Sequence, residues 1–181
     1  MRQIFKFKEV GDIDTKILDK INQSISEEDW YHDDFRTQMF YTIKNDTYNS
    51  IPIRHSKNYF LSSIENSVLY NKFYPLIEPI LIKLKNYYEF KDYIAFFTRL
   101  KPGGILNYHS DSGEFLTTCH RIHVPIKTNE LAMYFVEDEW THWKKGIIYE
   151  FDNLRIHNAR NDGDDDRIHL ILNLYPTESF Y

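Results

Sequence analysis

Three residues carry the strongest chemical signal in this 181-residue chain: His109, Asp111 and His157. Two imidazoles and one carboxylate on one face of an octahedron leave three adjacent positions open, an arrangement that suits iron(II) and an oxygen-using reaction. The run Tyr108-His109-Ser110-Asp111 supplies the first two groups. In an extended chain residues i and i+2 point the same way, so His109 and Asp111 can face one ion while Ser110 turns aside. His157 is the third expected ligand, delivered by a later strand. The lack of any cysteine besides Cys119 argues against a structural zinc site. His-x-Asp is a weak motif by itself, because isolated strand histidines are more often structural, so its context has to carry the reading.

Cations supply part of that context. Arg167 follows His157 by ten residues. A guanidinium stays ionised and its planar fork makes two charge-assisted hydrogen bonds to a carboxylate. If two neighbouring antiparallel strands are joined by the acidic loop at residues 161–166, Arg167 stands deep in a barrel beside the metal. The alternative is an Arg167 paired at the surface with Asp164, Asp165 or Asp166, and the local sequence leaves both open. Arg121 and His123 alternate on one strand, so they can point inward together. A buried cation beside an imidazole requires an anion, either a co-substrate's chelating carboxylate or a carboxylate on the substrate. A surface position for both is the alternative. Upstream, Trp30, His32, Arg36, Arg54 and His55 are candidates for a substrate-contacting lid, with Trp30, Arg36 and Arg54 and the later Arg121 as the expected substrate-binding set.

These groups need elements to position them. Residues 12–26 carry Ile13, Ile17, Leu18, Ile21 and Ile25 at near-helical spacing with Asp12 or Asp14 as a cap, which predicts a helix. Residues 74–88 predict a second, with Pro75 near its start. Residues 30–54 read as short strands and loops, 39–43 and 50–53 being the strand candidates. From residue 93 onward short strands follow one another at 94–100, 105–109, 117–126, 131–136, 146–151, 154–157 and 167–175, separated by Gly, Asn and Asp turns. The expectation is one domain over residues 1–181, mainly β with flanking helices (α+β). Residues 1–92 would pack on a catalytic core at 93–176, an antiparallel sandwich or barrel.

Composition narrows the function classes. Hydrophobic residues make up 42%, charged residues 27% and aromatic residues 17%, as in a globular protein rich in large rings. The net charge is −5 and no stripe of Lys or Arg is present, which argues against a nucleic-acid groove. A single cysteine excludes an intrachain disulfide and suits a reducing compartment. Residues 1–10 alternate apolar and charged side chains and read as neither signal peptide nor membrane span, and no other stretch is apolar enough to span a bilayer. A cytoplasmic location is expected. The loop at 161–166 lacks the spaced ligands and terminal Glu of a calcium loop.

Several segments together resemble the aspartyl/asparaginyl β-hydroxylase family. They are Arg99-Leu100-Lys101-Pro102-Gly103-Gly104, His109-Ser110-Asp111, the specific string RIHVPIKTN from Arg121 to Asn129, Trp143-Lys144-Lys145-Gly146, Phe151-Asp152-Asn153, His157-Asn158 and Arg167-Ile168-His169-Leu170. Order and spacing agree over residues 93–176. The resemblance implies a double-stranded β-helix (jelly-roll, cupin-like) oxygenase that uses iron(II), 2-oxoglutarate and O2. In its terms His109 and His157 match the metal histidines and Arg167 grips the distal carboxylate of 2-oxoglutarate. Thr98 takes the place of an assisting hydroxyl, and Arg121 and His123 contact the co-substrate or a substrate carboxylate. A glycine replaces the metal carboxylate in the family's vertebrate type member. Asp111 stands here, as in bacterial members that hydroxylate free proline, so a full triad is expected.

The absence of the helical repeat region that precedes the vertebrate catalytic domain leads to the expectation of a small polar substrate such as an amino acid. The same chemistry on an Asp, Asn or other side chain within a protein is the second reading. A non-catalytic cupin-like metal- or anion-binding protein is the third, and a metal hydrolase ranks below these because no further acidic residue near the triad offers a base.

Overall fold

The computed structural model describes residues 4–31, 47–56 and 63–177. Two antiparallel sheets dominate it. The larger is built from β1 (Phe7–Asp12), β2 (Tyr48–Ser56), β3 (Ile64–Asn66), β4 (Phe90–Leu100), β6 (His120–Lys127), β9 (Ile147–Phe151) and β11 (Arg167–Pro176), in the order β1-β9-β6-β11-β4-β2-β3. The smaller contains β5 (Ile105–His109), β7 (Ala132–Val136), β8 (Glu139–Thr141) and β10 (His157–Asn161), in the order β5-β10-β7-β8. The strand-rich character and flanking helices agree with the expected fold class, a double-stranded β-helix of the cupin type.

Alternation along β11 explains how the layers form. Ile168, Leu170, Leu172 and Leu174 face one side of the large sheet and join the main apolar core. That core is closed by α1 (Thr15–Ser24), which contributes Leu18 and Ile21, and α2 (Tyr70–Leu84), which contributes Phe73, Ile77, Ile80 and Leu84. Phe73 meets Phe97 of β4 edge-on, with ring centroids 5.1 Å apart. Arg167, His169, Ile171, Asn173 and Tyr175 occupy the opposite face of β11 and are buried too, because the small sheet covers them. The last strand is thus the central wall between the helix-covered core and the interior of the sandwich.

Asp14 caps α1 by accepting from the Lys16 backbone N–H at 2.9 Å. The second helix starts four residues before its expected boundary, so Pro75 lies inside it together with Pro79. The two prolines are four apart, so Pro79 removes the donor that would have served the Pro75 carbonyl, and both defects fall on one face. The alternating segment near the N-terminus forms β1, paired with β9. A short helix, α3 (Glu114–Thr117), occupies the start of the segment expected to be strand, and β6 begins after it. The strand expected at 39–43 lies outside the described residues. No helix among the described residues is long and apolar enough to cross a membrane.

One element is relocated. Residues 154–156 form a turn, and the strand begins at His157 instead of ending there. β10 and β11 are therefore not paired neighbours. β10 lies between β5 and β7, whereas β11 lies between β4 and β6. The loop at 161–166 crosses from one sheet to the other, tied at its start by the Asn161 side-chain amide, which donates to the carbonyls of Leu100 and Asp165 at 2.8 Å each.

Candidate metal and co-substrate site

β5 and β10 run antiparallel with His109 directly opposite His157. Their imidazoles lie 4.2 Å apart, centroid to centroid. Each ring is oriented by the same local device. Nδ1 of His109 lies 2.7 Å from the carbonyl of Asn107, and Nδ1 of His157 lies 2.8 Å from the carbonyl of Arg155. A carbonyl can only accept, so each Nδ1 carries the proton and each Nε2 presents a lone pair.

Asp111 completes the group, with one ligand atom from each of the three residues lying within 4.8 Å of the others. It lies beyond the end of β5, so strand alternation does not place it. Its backbone N–H donates to the Asn153 carbonyl at 2.9 Å, while the Asn153 side-chain amide donates to Asp111 Oδ2 at 3.0 Å and to the Leu116 carbonyl at 2.9 Å. Arg121 Nη2 donates to the same Oδ2 at 2.5 Å. Burial pushes the Asp111 carboxyl up, but the charge of Arg121, aided by His157 and the Asn153 amide, outweighs it and holds the carboxyl below its ordinary value. Burial drives the His157 imidazole down to about 4, which keeps it neutral and able to ligate. A neutral two-imidazole, one-carboxylate set fits ferrous iron.

These residues line a cavity of about 670 Å³ between the sheets. Arg167, only 1% exposed, enters it from the first position of β11. One guanidinium nitrogen donates to the Tyr134 hydroxyl, and the group sits 4.6 Å above the Tyr134 ring centroid. Its Nε and Nη1 have no partner among the described residues, and neither does the Thr98 hydroxyl, which also lines the cavity. Buried N–H groups left unpaired are costly, so two on one guanidinium beside an open cavity fit an anionic ligand. The surface pairing with the acidic loop does not occur: Asp165 pairs with Lys127 and Asp166 approaches Arg99.

His123 lines the cavity among Tyr134, Trp143, Phe151 and His169, and burial holds both His123 and His169 well below the ordinary histidine range. Arg121 is buried in the cavity wall as expected, but its charge is directed at Asp111.

The upstream candidates fare differently. Trp30 is 5% exposed and belongs to the main core, under the Arg99 guanidinium at 4.6 Å. Arg99 and Thr98 alternate on β4, so Trp30 packs on the face away from the cavity. Arg54 ion-pairs with Asp92 at 2.9 Å, bonds Asn66 and lines a separate surface groove. Neither contacts the cavity, so the expected lid roles of Trp30 and Arg54 are corrected. Arg36 and His32 lie outside the described residues. His55 is buried in β2.

Sequence reasoning assigned no role to Tyr48, Tyr134, Asn153, Asn158 or Asn173. The signal available for Tyr134 was its place between Ala132 and Val136, the inward residues of β7. Nothing in the sequence singles out Tyr48, which lines the cavity with its hydroxyl pushed up by burial.

Residues 65–176 match the family model for aspartyl/asparaginyl beta-hydroxylase. No curated protein matches the sequence significantly. Among solved structures, the chain is similar to a viral collagen prolyl hydroxylase from Paramecium bursaria Chlorella virus-1, with a TM-score of 0.64 at 10% identity over 97% of this chain and 98% of that one. It is also similar to a 2OG-Fe(II) oxygenase family oxidoreductase from Burkholderia pseudomallei, with a TM-score of 0.56 at 11% identity over 74% and 71%. A Pseudomonas putida prolyl-4-hydroxylase matches with a TM-score of 0.53 at 8% identity over 97% and 95%. At these identities the likeness carries the fold, whereas the family match covers well over half the chain. The chain belongs to the aspartyl/asparaginyl beta-hydroxylase family and is a hydroxylase dependent on iron(II), 2-oxoglutarate and O2.

Proposed function

We propose that the protein hydroxylates an unactivated carbon of a free amino acid or a related small polar molecule. His109, Asp111 and His157 would hold iron(II), and Arg167 with Thr98 and Tyr134 would hold the distal carboxylate of 2-oxoglutarate. One observation carries the reading. A single interior cavity has three potential metal ligands within 4.8 Å of one another and, elsewhere in its wall, a buried guanidinium with two unpaired nitrogens.

Bound iron supplies the oxidative chemistry, coupling decarboxylation of 2-oxoglutarate to insertion of one oxygen atom into a C–H bond. The residues of the chain supply geometry. The Asn107 and Arg155 carbonyls keep both Nε2 atoms free of protons, and Asn153 and Arg121 hold Asp111 ionised and in place. Phe96, Phe115, Leu106 and Phe151 give the cavity wall an apolar lining. A volume of about 670 Å³ lies within the range of small-ligand sites, and it has to receive both co-substrate and substrate. That favours a small substrate over a folded partner.

Two measurements test this. Anaerobic addition of iron(II) and 2-oxoglutarate should produce a weak visible charge-transfer band that is lost in Arg167→Ala and in Asp111→Ala. Succinate release should then rise above the uncoupled background with at least one member of a panel of free amino acids. A flat response to free amino acids, with turnover of peptides, would favour action on a residue within a chain.

A further inference from the structure

Behind the cavity wall stands a stack of oxidisable rings that hydroxylation itself does not use. Tyr134 of β7 lies face to face with Trp143, their ring centroids 3.9 Å apart and their planes 16° from parallel. Trp143 in turn stacks on Tyr149 of β9 at 5.3 Å and 12°. The inner end of the stack is Tyr134, which lines the cavity. A second line of rings reaches the metal ligands from the side. Phe151 meets the His157 ring at 5.0 Å and the Trp143 ring at 5.7 Å, so ring contacts run unbroken from His157 to the indole. The outer end is Tyr149, directly opposite the exposed Glu9 of the edge strand β1. Its hydroxyl accepts the backbone N–H of exposed Lys144 at 3.1 Å.

Packing alone accounts for three large rings in an interior, but two polar details go further. The Tyr134 hydroxyl accepts from Arg167, which leaves its own proton free to face His123 Nδ1, 3.2 Å away. Burial keeps His123 neutral, so that nitrogen can receive the proton. A phenol gives up an electron far more readily when a base takes its proton at the same time. Trp143 is the opposite case. Its indole N–H is buried and has no partner among the described residues, although a buried indole N–H is ordinarily hydrogen-bonded. With no acceptor at hand, an oxidised Trp143 keeps its proton, remains a strong oxidant and hands the electron deficit on instead of trapping it.

Charge gives the stack a direction. The charges acting on the Tyr134 phenol are the Arg167 and Arg121 guanidiniums, whereas the charge acting on Tyr149 is the Glu9 carboxylate. A positive hole is therefore disfavoured at the inner end and favoured at the outer one.

We propose that Tyr134, Trp143 and Tyr149 form a discharge path, which carries an oxidising equivalent from the iron toward the surface when no substrate is there to receive it. This protective activity stands beside hydroxylation and does not depend on which substrate is hydroxylated. Tyr134 gives one electron to the iron-bound oxidant and its proton to His123 Nδ1. Trp143 then returns an electron to Tyr134, and the proton comes back from His123. Tyr149 reduces Trp143 and releases its own proton to solvent. The Tyr149 radical takes a hydrogen atom from a small soluble thiol. Two such passes, with two protons taken up from solvent, return a two-electron oxidant to iron(II) and water.

The test reads where oxidation lands. Native protein, Trp143→Phe and Tyr149→Phe are loaded with iron(II), and melting curves establish that both variants fold. Each is exposed to O2 and 2-oxoglutarate without substrate, or to hydrogen peroxide, which delivers oxidising equivalents to the iron directly. Samples frozen during the reaction are read by electron paramagnetic resonance. The chain is then digested and its oxidised residues are located by mass spectrometry. Native protein should show a tyrosyl radical that narrows with ring-deuterated tyrosine, and oxidation at Tyr149; dithiothreitol should remove both. Trp143→Phe should lose oxidation at Tyr149, gain it at Tyr134 and Phe151, and inactivate in fewer turnovers with no rescue by the thiol. In Tyr149→Phe the oxidation should collect at Trp143. Oxidation confined to the cavity in native protein, or an unchanged map in Trp143→Phe, overturns the path. Equal oxidation of Tyr149 in metal-free protein treated with peroxide overturns it too, because the oxidant would then have come from solution. Failure of the native chain to bind iron(II) is a separate result that removes the metal assignment and the path together.

Discussion

Asn153 and Asp111 hold each other from both directions. The backbone N–H of Asp111 donates to the Asn153 carbonyl, and the Asn153 side chain returns a hydrogen bond to the Asp111 carboxylate at 3.0 Å. Because Asp111 lies beyond its strand, this exchange substitutes for sheet hydrogen bonding in positioning it.

Replacing Asn153 by Ala should therefore weaken metal binding without removing a ligand. Partners that orient metal ligands are commonly worth about 10- to 100-fold in affinity. Titration of native and Asn153→Ala protein with manganese(II) should show a loss in that range. An unchanged affinity would mean that Arg121 alone suffices to hold the carboxylate.

Arg167 is buried with two unpaired nitrogens, so the ligand-free protein carries its desolvation cost uncompensated. Arg167→Met is expected to melt at or above the native temperature in the absence of 2-oxoglutarate. It should also lose the stabilisation that 2-oxoglutarate with metal confers on the native chain. Scanning fluorimetry with and without 2-oxoglutarate checks both halves. A variant that still gains stability from the co-substrate would place the anchor elsewhere.

Burial lowers the imidazoles of His123 and His169 well below their ordinary range and that of His157 to about 4. Above about pH 6.5 these groups are neutral whether folded or not, and they leave stability independent of pH. Below it the unfolded chain takes up protons that the folded chain does not. Stability is expected to fall by about 1.4 kcal/mol per pH unit for each histidine. For His157 the decline ends near its folded value of about 4. Denaturant unfolding at several pH values between about 7.5 and 5 should show the slope, and His169→Phe should flatten it by about one proton. An identical slope in that variant would contradict a neutral, buried His169.

Trp30 belongs to the core under Arg99, so Trp30→Ala should cost about 3–5 kcal/mol of stability. The KM for 2-oxoglutarate and for substrate should be unchanged in the fraction that remains folded. A raised KM with little loss of stability would restore Trp30 as a substrate contact.

The sequence was most informative where physics is local. Alternation in Arg121-x-His123, together with turn residues and the late strands, located cavity-lining groups that the structure brings together. It was least informative where distant pieces decide the outcome. The His-x-Asp pair looked like one continuous strand face, but Asp111 depends on a bond to Asn153, 42 positions later. β10 and β11 read as a hairpin because the chain between them is short, yet they belong to opposite sheets. Trp30 and Arg54 show that residue type does not separate a lid from a core or a surface ion pair, since Trp30 packs under Arg99 and Arg54 pairs with Asp92 away from the cavity.

The crossing loop has a consequence of its own. His157 and Arg167 each open a strand, in opposed sheets, and the loop that leaves β10 at Asn161 to reach Arg167 passes Gly163, where even a methyl group would collide with the side chain of Asn129. That fit makes the loop a caliper whose jaws are the two sheets. Lengthening it, or enlarging Gly163, would alter the gap between metal and anchor without touching either. Dicarboxylates shorter or longer than 2-oxoglutarate would then be discriminated by a stretch of chain that contacts none of them.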